Sequence, residues 1–174
     1  MKRYAELYCN GIEVRIKSRT ITDLISTLGV RVGWMTGDAN TIPTSGTCNW
    51  LTRINSTGEI ALDTNTIDAS ALEDYVDRAI AGRASTGGSY SITVNVTPDT
   101  MDEWAAVFAA SASNNGVWIQ EWSPQNPTSS DWIFVQTPQQ FPKAAKEQNS
   151  LLTAEIQCAI VNYAGQAAAV DAPV

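Results

Sequence analysis

The sequence predicts a mainly β domain: a two-sheet β-sandwich or barrel with one flanking α-helix, and an N-terminal hairpin and helix added to it. Three observations predict it. Apolar and polar residues alternate in several runs, most clearly at Tyr90, Ile92, Val94 and Val96 and at Leu152, Ala154, Ile156, Cys158 and Ile160, as half-buried strands require. Asn10-Gly11 separates Tyr4–Cys9 from the alternating run Ile12, Val14 and Ile16, the strongest short-range signal for a hairpin. One clear helical stripe, Met101, Trp104, Ala105 and Phe108, lies between two strand runs. Sheet faces bury their apolar side against another layer, so this pattern leads to a sandwich or barrel with a helix on its flank.

The remaining elements follow in order. Ile21, Leu24, Ile25 and Leu28 fall at helical spacing, with Thr20 or Thr22 to cap and Gly29 to stop. Val30, Val32 and Trp34 alternate as a strand, and residues 36–49 form a long polar loop full of turn formers. Ile54 and Glu59–Asp63 read as short strand pieces. Asp68–Ala81 predicts a short helix, since Ser70 and Glu73 have capping-box spacing and Leu72, Tyr75 or Val76, Ala79 and Ile80 make one stripe. Thr97-Pro98-Asp99 starts the clear helix, and Asn114-Asn115-Gly116 ends it. Val117–Trp122 and Trp132–Thr137 are strands joined by the polar loop 123–131. The expected organisation is a single domain over 1–174, with 1–29 an arm or elaboration and 164–174 a loosely ordered tail.

Charge and chemistry narrow the function. The net charge is −7. Residues 1–60 hold seven Lys/Arg against five Asp/Glu, and the rest of the chain is acidic. That excludes the broad basic patch that non-specific nucleic-acid binding needs. There is no histidine, which removes His-based triads, bases and metal ligands. Cys9, Cys48 and Cys158 lack metal-ligand spacing and fit synthesis in a reducing cytoplasm; Cys48 reads as a surface or interface thiol. Gly87-Gly88 precedes a strand and cannot offer helix N-terminal amides to a phosphate. The acidic groups Glu73-Asp74-Asp77 and Asp102-Glu103 sit at predicted helix starts, where carboxylates favour the helix dipole. No leader peptide is expected from the first residues, and no run reaches the roughly 20 apolar residues of a membrane span. No catalytic, cofactor or metal site is therefore expected, and no small-molecule ligand.

Six tryptophans are many for 174 residues. Trp118, Trp122 and Trp132 cluster at one predicted hairpin. They suit core packing, a protein interface or a sugar-stacking platform. The last would make the chain a carbohydrate-binding, tail-adhesin-like β-sandwich.

A family resemblance runs through residues 32–110. Val32-Gly33-Trp34-Met35-Thr36-Gly37, then Ile42-Pro43, then Gly58-Glu59-Ile60 with Leu62-Asp63-Thr64-Asn65-Thr66-Ile67-Asp68 resembles major tail tube proteins of long-tailed, siphovirus-type bacteriophages. Leu62 stands where that family has Ile, and Asn65 is inserted before Thr66. Tyr75-Val76, Gly82 and the later strand–helix–strand order continue the likeness. The resemblance implies a tail tube fold, shared with type VI secretion tubes. It also implies a non-enzymatic virion protein made in the host bacterial cytoplasm and placed in the tail. Six copies would close a ring, and rings would stack into a tube through which DNA passes unbound. Partners would be other copies and the tape measure, terminator and distal tail proteins, with no membrane. On that expectation Ser91, Thr93, Asn95, Thr153, Glu155 and Gln157 line the lumen, since small, polar, cation-free strand faces give DNA no anchor. Gly37, Asp38, Asn40, Thr41 and Pro43, with Asn10 and Gly11, are the candidates for contacts between rings.

Overall fold

The computed structural model describes residues 5–9, 12–16, 29–70, 79–86, 88–144, 146 and 150–173. The helix expected over Ile21–Leu28 and the turn residues Asn10 and Gly11 lie outside them. Strands β1 (Ala5–Cys9) and β2 (Ile12–Ile16) flank that turn and pair antiparallel, Cys9 opposite Ile12.

The body is one seven-stranded sheet. Its strands are β3 (Arg31–Met35), β4 (Asn49–Trp50), β5 (Ile54–Thr57), β8 (Ser89–Asn95), β9 (Val117–Trp122), β10 (Ser129–Gln136) and β11 (Thr153–Ala168). They lie in the order β4-β3-β9-β10-β11-β8-β5, all neighbours antiparallel. The two layers expected of a sandwich are the two halves of this sheet, which curls on itself. Inside the curl lies the main core: Val32, Tyr90, Ile92, Val94, Val117, Ile119, Ile133, Val135, Ala154 and Ile156, with Trp104, Val107 and Phe108 from the helix. A second core forms on the opposite face, where Met35, Trp118, Trp132 and Phe134 meet Cys48 and Val170. Strands β9 and β10 are thus covered on both faces, which is why Val117–Trp122 is buried at every position but Glu121.

The single helix among the described residues, α1 (Pro98–Asn114), has its boundaries set locally. The Thr97 side chain accepts from the Thr100 backbone N–H, and the Thr100 hydroxyl accepts from the Thr97 N–H. These bonds satisfy amides that the first turn leaves free. Asn115 ends the helix with φ 55°, and Gly116 follows at φ +136°. A Cβ at Gly116 would stand 2.5 Å from the Phe134 ring. The buried stripe is Thr100, Trp104, Val107, Phe108 and Ser111. Met101, expected in that stripe, is 46% exposed; it is one position off the face that Thr100 and Trp104 define.

Two further expectations change. The helix expected over Asp68–Ala81 is replaced at both ends by strand: β6 (Asp63–Asp68) pairs with β7 (Ala79–Ser85), and residues 71–78 between them lie outside the described ones. The β-branched run Thr64, Thr66 and Ile67 favours extended backbone over helix. The tail 164–174, expected to be loose, is built in as far as Asp171. Strand β11 runs to Ala168, Val170 is buried, and the Trp132 indole N–H donates to the Ala168 carbonyl at 3.2 Å.

Candidate functional site

The six polar residues singled out on two distant stretches of sequence meet on one surface. Strands β8 and β11 pair so that Ser91 faces Gln157, Thr93 faces Glu155 and Asn95 faces Thr153. Their intervening partners, Tyr90 with Cys158, Ile92 with Ile156 and Val94 with Ala154, all enter the main core. A strand alternates strictly, so burying one set forces the other onto the opposite face. The face is half-buried to exposed. Its one charged residue among the six is Glu155, whose carboxylate accepts from the Gln157 amide at 2.6 Å. Next to it β5 adds Ser56 opposite Thr93.

The loop 36–49 is a lid over the other part of this outer face. The Trp118 indole N–H donates to the Asp38 carbonyl at 2.9 Å, and the Asn162 amide to the Ala39 carbonyl at 2.7 Å. The Cys48 backbone N–H donates to the Asp171 carboxylate at 3.0 Å. Ala39 and Ile42 pack on the second core. Gly37, Asp38, Asn40 and Thr41 stay exposed at the rim and Pro43 is half-buried, with an Asx turn in which the Asp38 carboxylate accepts from the Asn40 N–H. Cys48 is not the surface thiol expected. It is buried, and burial, with Asp171 adding to it, pushes its thiol up to about 12. Burial alone does the same for Cys158. Neither is a nucleophile at neutral pH.

The tryptophan platform is also corrected. Trp118 and Trp132 are fully buried and Trp122 nearly so. Trp118 packs edge-on to Trp132 and Phe134. No sugar can stack on these rings, so the carbohydrate-binding alternative loses the residues it rested on. Glu103, half of an acidic pair at the helix start, is a tie: its carboxylate accepts from the Thr52 backbone N–H and hydroxyl at 2.9 Å. Glu73, Asp74 and Asp77 lie outside the described residues. Among the described residues no group of three or more Cys, Asp or Glu could hold a metal, and no helix is long and apolar enough to cross a membrane.

Two features escaped the sequence reading. One is the β6–β7 ribbon, whose cross-strand pair Ile67 and Ile80 is 53% and 56% exposed. Its signal was the β-branched run already noted. The other is Glu121, half-buried on the core side of β9: it holds the alternate position after Val117 and Ile119, accepts a hydrogen bond from the Tyr90 hydroxyl, and lies opposite Asp131. Its signal was a carboxylate in phase with the apolar positions of a strand.

No family model and no curated protein matches the chain. Among solved structures, a chain in the virion of the native gene transfer agent particle is similar: 13% identical, with a TM-score of 0.51 over 84% of this chain and 99% of that one. A chain in the tail of the empty gene transfer agent particle, refined with C6 symmetry, is 14% identical over 87% of this chain and 99% of that one, with a TM-score of 0.48. One in the baseplate of the anti-feeding prophage is 14% identical over 82% and 93%, with a TM-score of 0.42. At such identities the likeness speaks to fold, and only the first is close enough to carry that conclusion. In fold, this chain is similar to that chain of the gene transfer agent virion.

Proposed function

We propose that this chain is a structural subunit of a virion tail tube, that it closes into rings which stack, and that the β8–β11 polar face lines the bore through which DNA passes. The observation that carries the reading is the in-register face Ser91/Gln157, Thr93/Glu155 and Asn95/Thr153, without a Lys or Arg, on a fold shared with a gene transfer agent virion chain. A channel for DNA must not hold phosphates. Cationic contacts would bind them in a salt-dependent way, whereas a neutral-to-acidic wall leaves the duplex free to slide. The rest of the molecule has surface to spare for assembly. The β6–β7 ribbon exposes an isoleucine pair, and a two-stranded ribbon is marginal by itself. A second copy that covers Ile67 and Ile80 supplies the missing layer. The rim Asp38–Thr41 adds polar contacts between rings, with Asn10 and Gly11 as further candidates.

In this role the chain performs no catalysis and needs no cofactor. Its partners are copies of itself and the proteins that measure, cap and end the tube, and its place is the virion tail. Negative-stain electron microscopy of the purified full chain across a concentration series tests the proposal. Rings or tubes with a central bore are expected. A monodisperse monomer at every concentration and salt would overturn it.

A further inference from the structure

We propose that Glu121, Asp131 and Tyr90 form a proton-linked latch that closes the curl of the seven-stranded sheet, holding β5 and β8 against β9 when Glu121 carries its proton and easing that closure when it does not. The geometry is specific. In sheet order β8 is three strands from β9, with β10 and β11 between them. The Tyr90 hydroxyl nevertheless donates to the Glu121 carboxyl, so this bond crosses the interior of the curl and not the ladder. Thr57, at the end of edge strand β5, adds a second hydrogen bond to the same carboxyl. Glu121 is therefore the point at which one half of the sheet is tied to the other.

The groups around it come from five strands. Asp131 on β10 lies directly opposite in register. Val32 on β3 is its other register partner and brings no charge. Tyr90 and Thr57 come from β8 and β5. On β11, Tyr163 is close enough to feel both carboxylates; burial first, then Asp131 and Glu121, raises its hydroxyl. No ion pair to Glu121 exists among the described residues, and its charged neighbour Asp131 has the same sign. Two like-charged carboxyls in a poorly hydrated site cannot both ionise cheaply. Burial foremost, with Asp131 adding to it against the Thr57 hydrogen bond, raises Glu121 from 4.5 to about 7. Burial also raises Asp131.

The sign follows. A carboxyl raised in the folded state binds its proton more tightly folded than unfolded. Its contribution to closure is complete below the ordinary value of 4.5 and falls away as pH rises to about 7. Above that the carboxylate is charged, half-buried and beside a second carboxylate. The latch is thus closed in mild acid and weakened at alkaline pH.

Hydrogen exchange of the full chain, corrected for the intrinsic pH dependence of exchange, reads the latch at amides that join the edge: Gly58 to the Ser91 carbonyl and Asn95 to the Arg53 carbonyl. Between pH 5.5 and about 7 protection at these sites should fall by on the order of 10- to 100-fold and then level off. Protection in α1 should fall less. Glu121→Gln keeps both hydrogen bonds without a charge and should flatten the profile. Asp131→Asn should move the pH at which the fall levels off downward. Isotope-edited infrared spectroscopy of the wild-type chain should show a protonated buried carboxyl at pH 6 that is gone at pH 8.5, a readout that survives even if a variant fails to fold. Parallel profiles for wild type and Glu121→Gln would overturn the proposal, as would a carboxylate already ionised at pH 6. Neither outcome bears on assembly into a tube.

Discussion

At the scale of single residues, the neighbours on one helix face behave oppositely. Trp104 is fully buried among Val107, Phe108, Tyr90 and Val94, while Met101, three residues before it, is nearly half exposed. Truncating a fully buried large side chain removes its transfer free energy and leaves a cavity. Trp104→Ala should therefore cost about 3–5 kcal/mol, read as a fall in the denaturant midpoint at unchanged slope. Met101→Ala should stay within about 0.5 kcal/mol, as exposed positions do. Equal losses from the two would place the helix the other way round. Trp104 carries a second lesson: its indole N–H has no hydrogen-bond partner among the described residues, so Trp104→Phe should lose less than its smaller ring alone would cost. Gly116→Ala belongs with the severe changes, because its positive φ and the Phe134 ring both oppose a side chain.

Elements set the surfaces. The β6–β7 ribbon carries Ile67 and Ile80 as a cross-strand pair that the described residues leave exposed. Ile67→Ser with Ile80→Ser should leave the thermal midpoint of the subunit within a few degrees while ring or tube formation, followed by light scattering and electron microscopy, is lost. Normal tubes from that double variant would remove the ribbon from the interface. The β8–β11 face invites the reverse change. Glu155→Lys with Thr153→Lys puts two cations on the proposed wall without touching the core partners Ala154 and Ile156. Assembly should persist, and genome ejection should slow most at low salt, since each phosphate contact steepens the salt dependence by roughly 0.9 log units. Ejection indifferent to the lysines would put this face outside the bore. Removing the lid 37–46 is a poor test of contacts between rings. It would strip Trp118 of its partner at Asp38 and uncover the second core. Charge reversal at Asp38 or a bulky residue at Thr41 probes the rim without that damage.

The charge distribution acts on the whole molecule. Residues 1–60 are net positive by two and the remainder is acidic. Stacked copies that bring the N-terminal part of one against the acidic part of the next gain an attraction that salt screens over about 10 Å at 0.1 M. Tubes should shorten or dissociate as ionic strength rises from 0.05 to about 0.5 M, measured by sedimentation. Tubes that lengthen with salt would indicate a contact dominated by apolar burial at Ile67 and Ile80.

The sequence alone determined what is local or periodic. Alternation along Tyr90–Val96 and Leu152–Ile160 set which residues face the core, because a strand offers only two faces. The Thr97 cap and the Asn115-Gly116 stop fixed the helix, because the chemistry of its ends lies within a few residues. The absence of histidine narrowed the chemistry before any coordinates. Only the tertiary structure decided what depends on partners far along the chain. Thr93 meets Glu155 across 62 residues, and the polar face exists only through that register. Residues 63–68 and 79–85 became strands because each found the other, overriding a helical stripe that was plausible taken by itself. The polar-looking loop 36–49 and the small-residue tail were ordered by Asp171, Trp118 and Asn162, contacts that no local pattern encodes. The partial burial of Glu121 belongs to the same class, since it needs the sheet to curl until β8 and β5 reach β9.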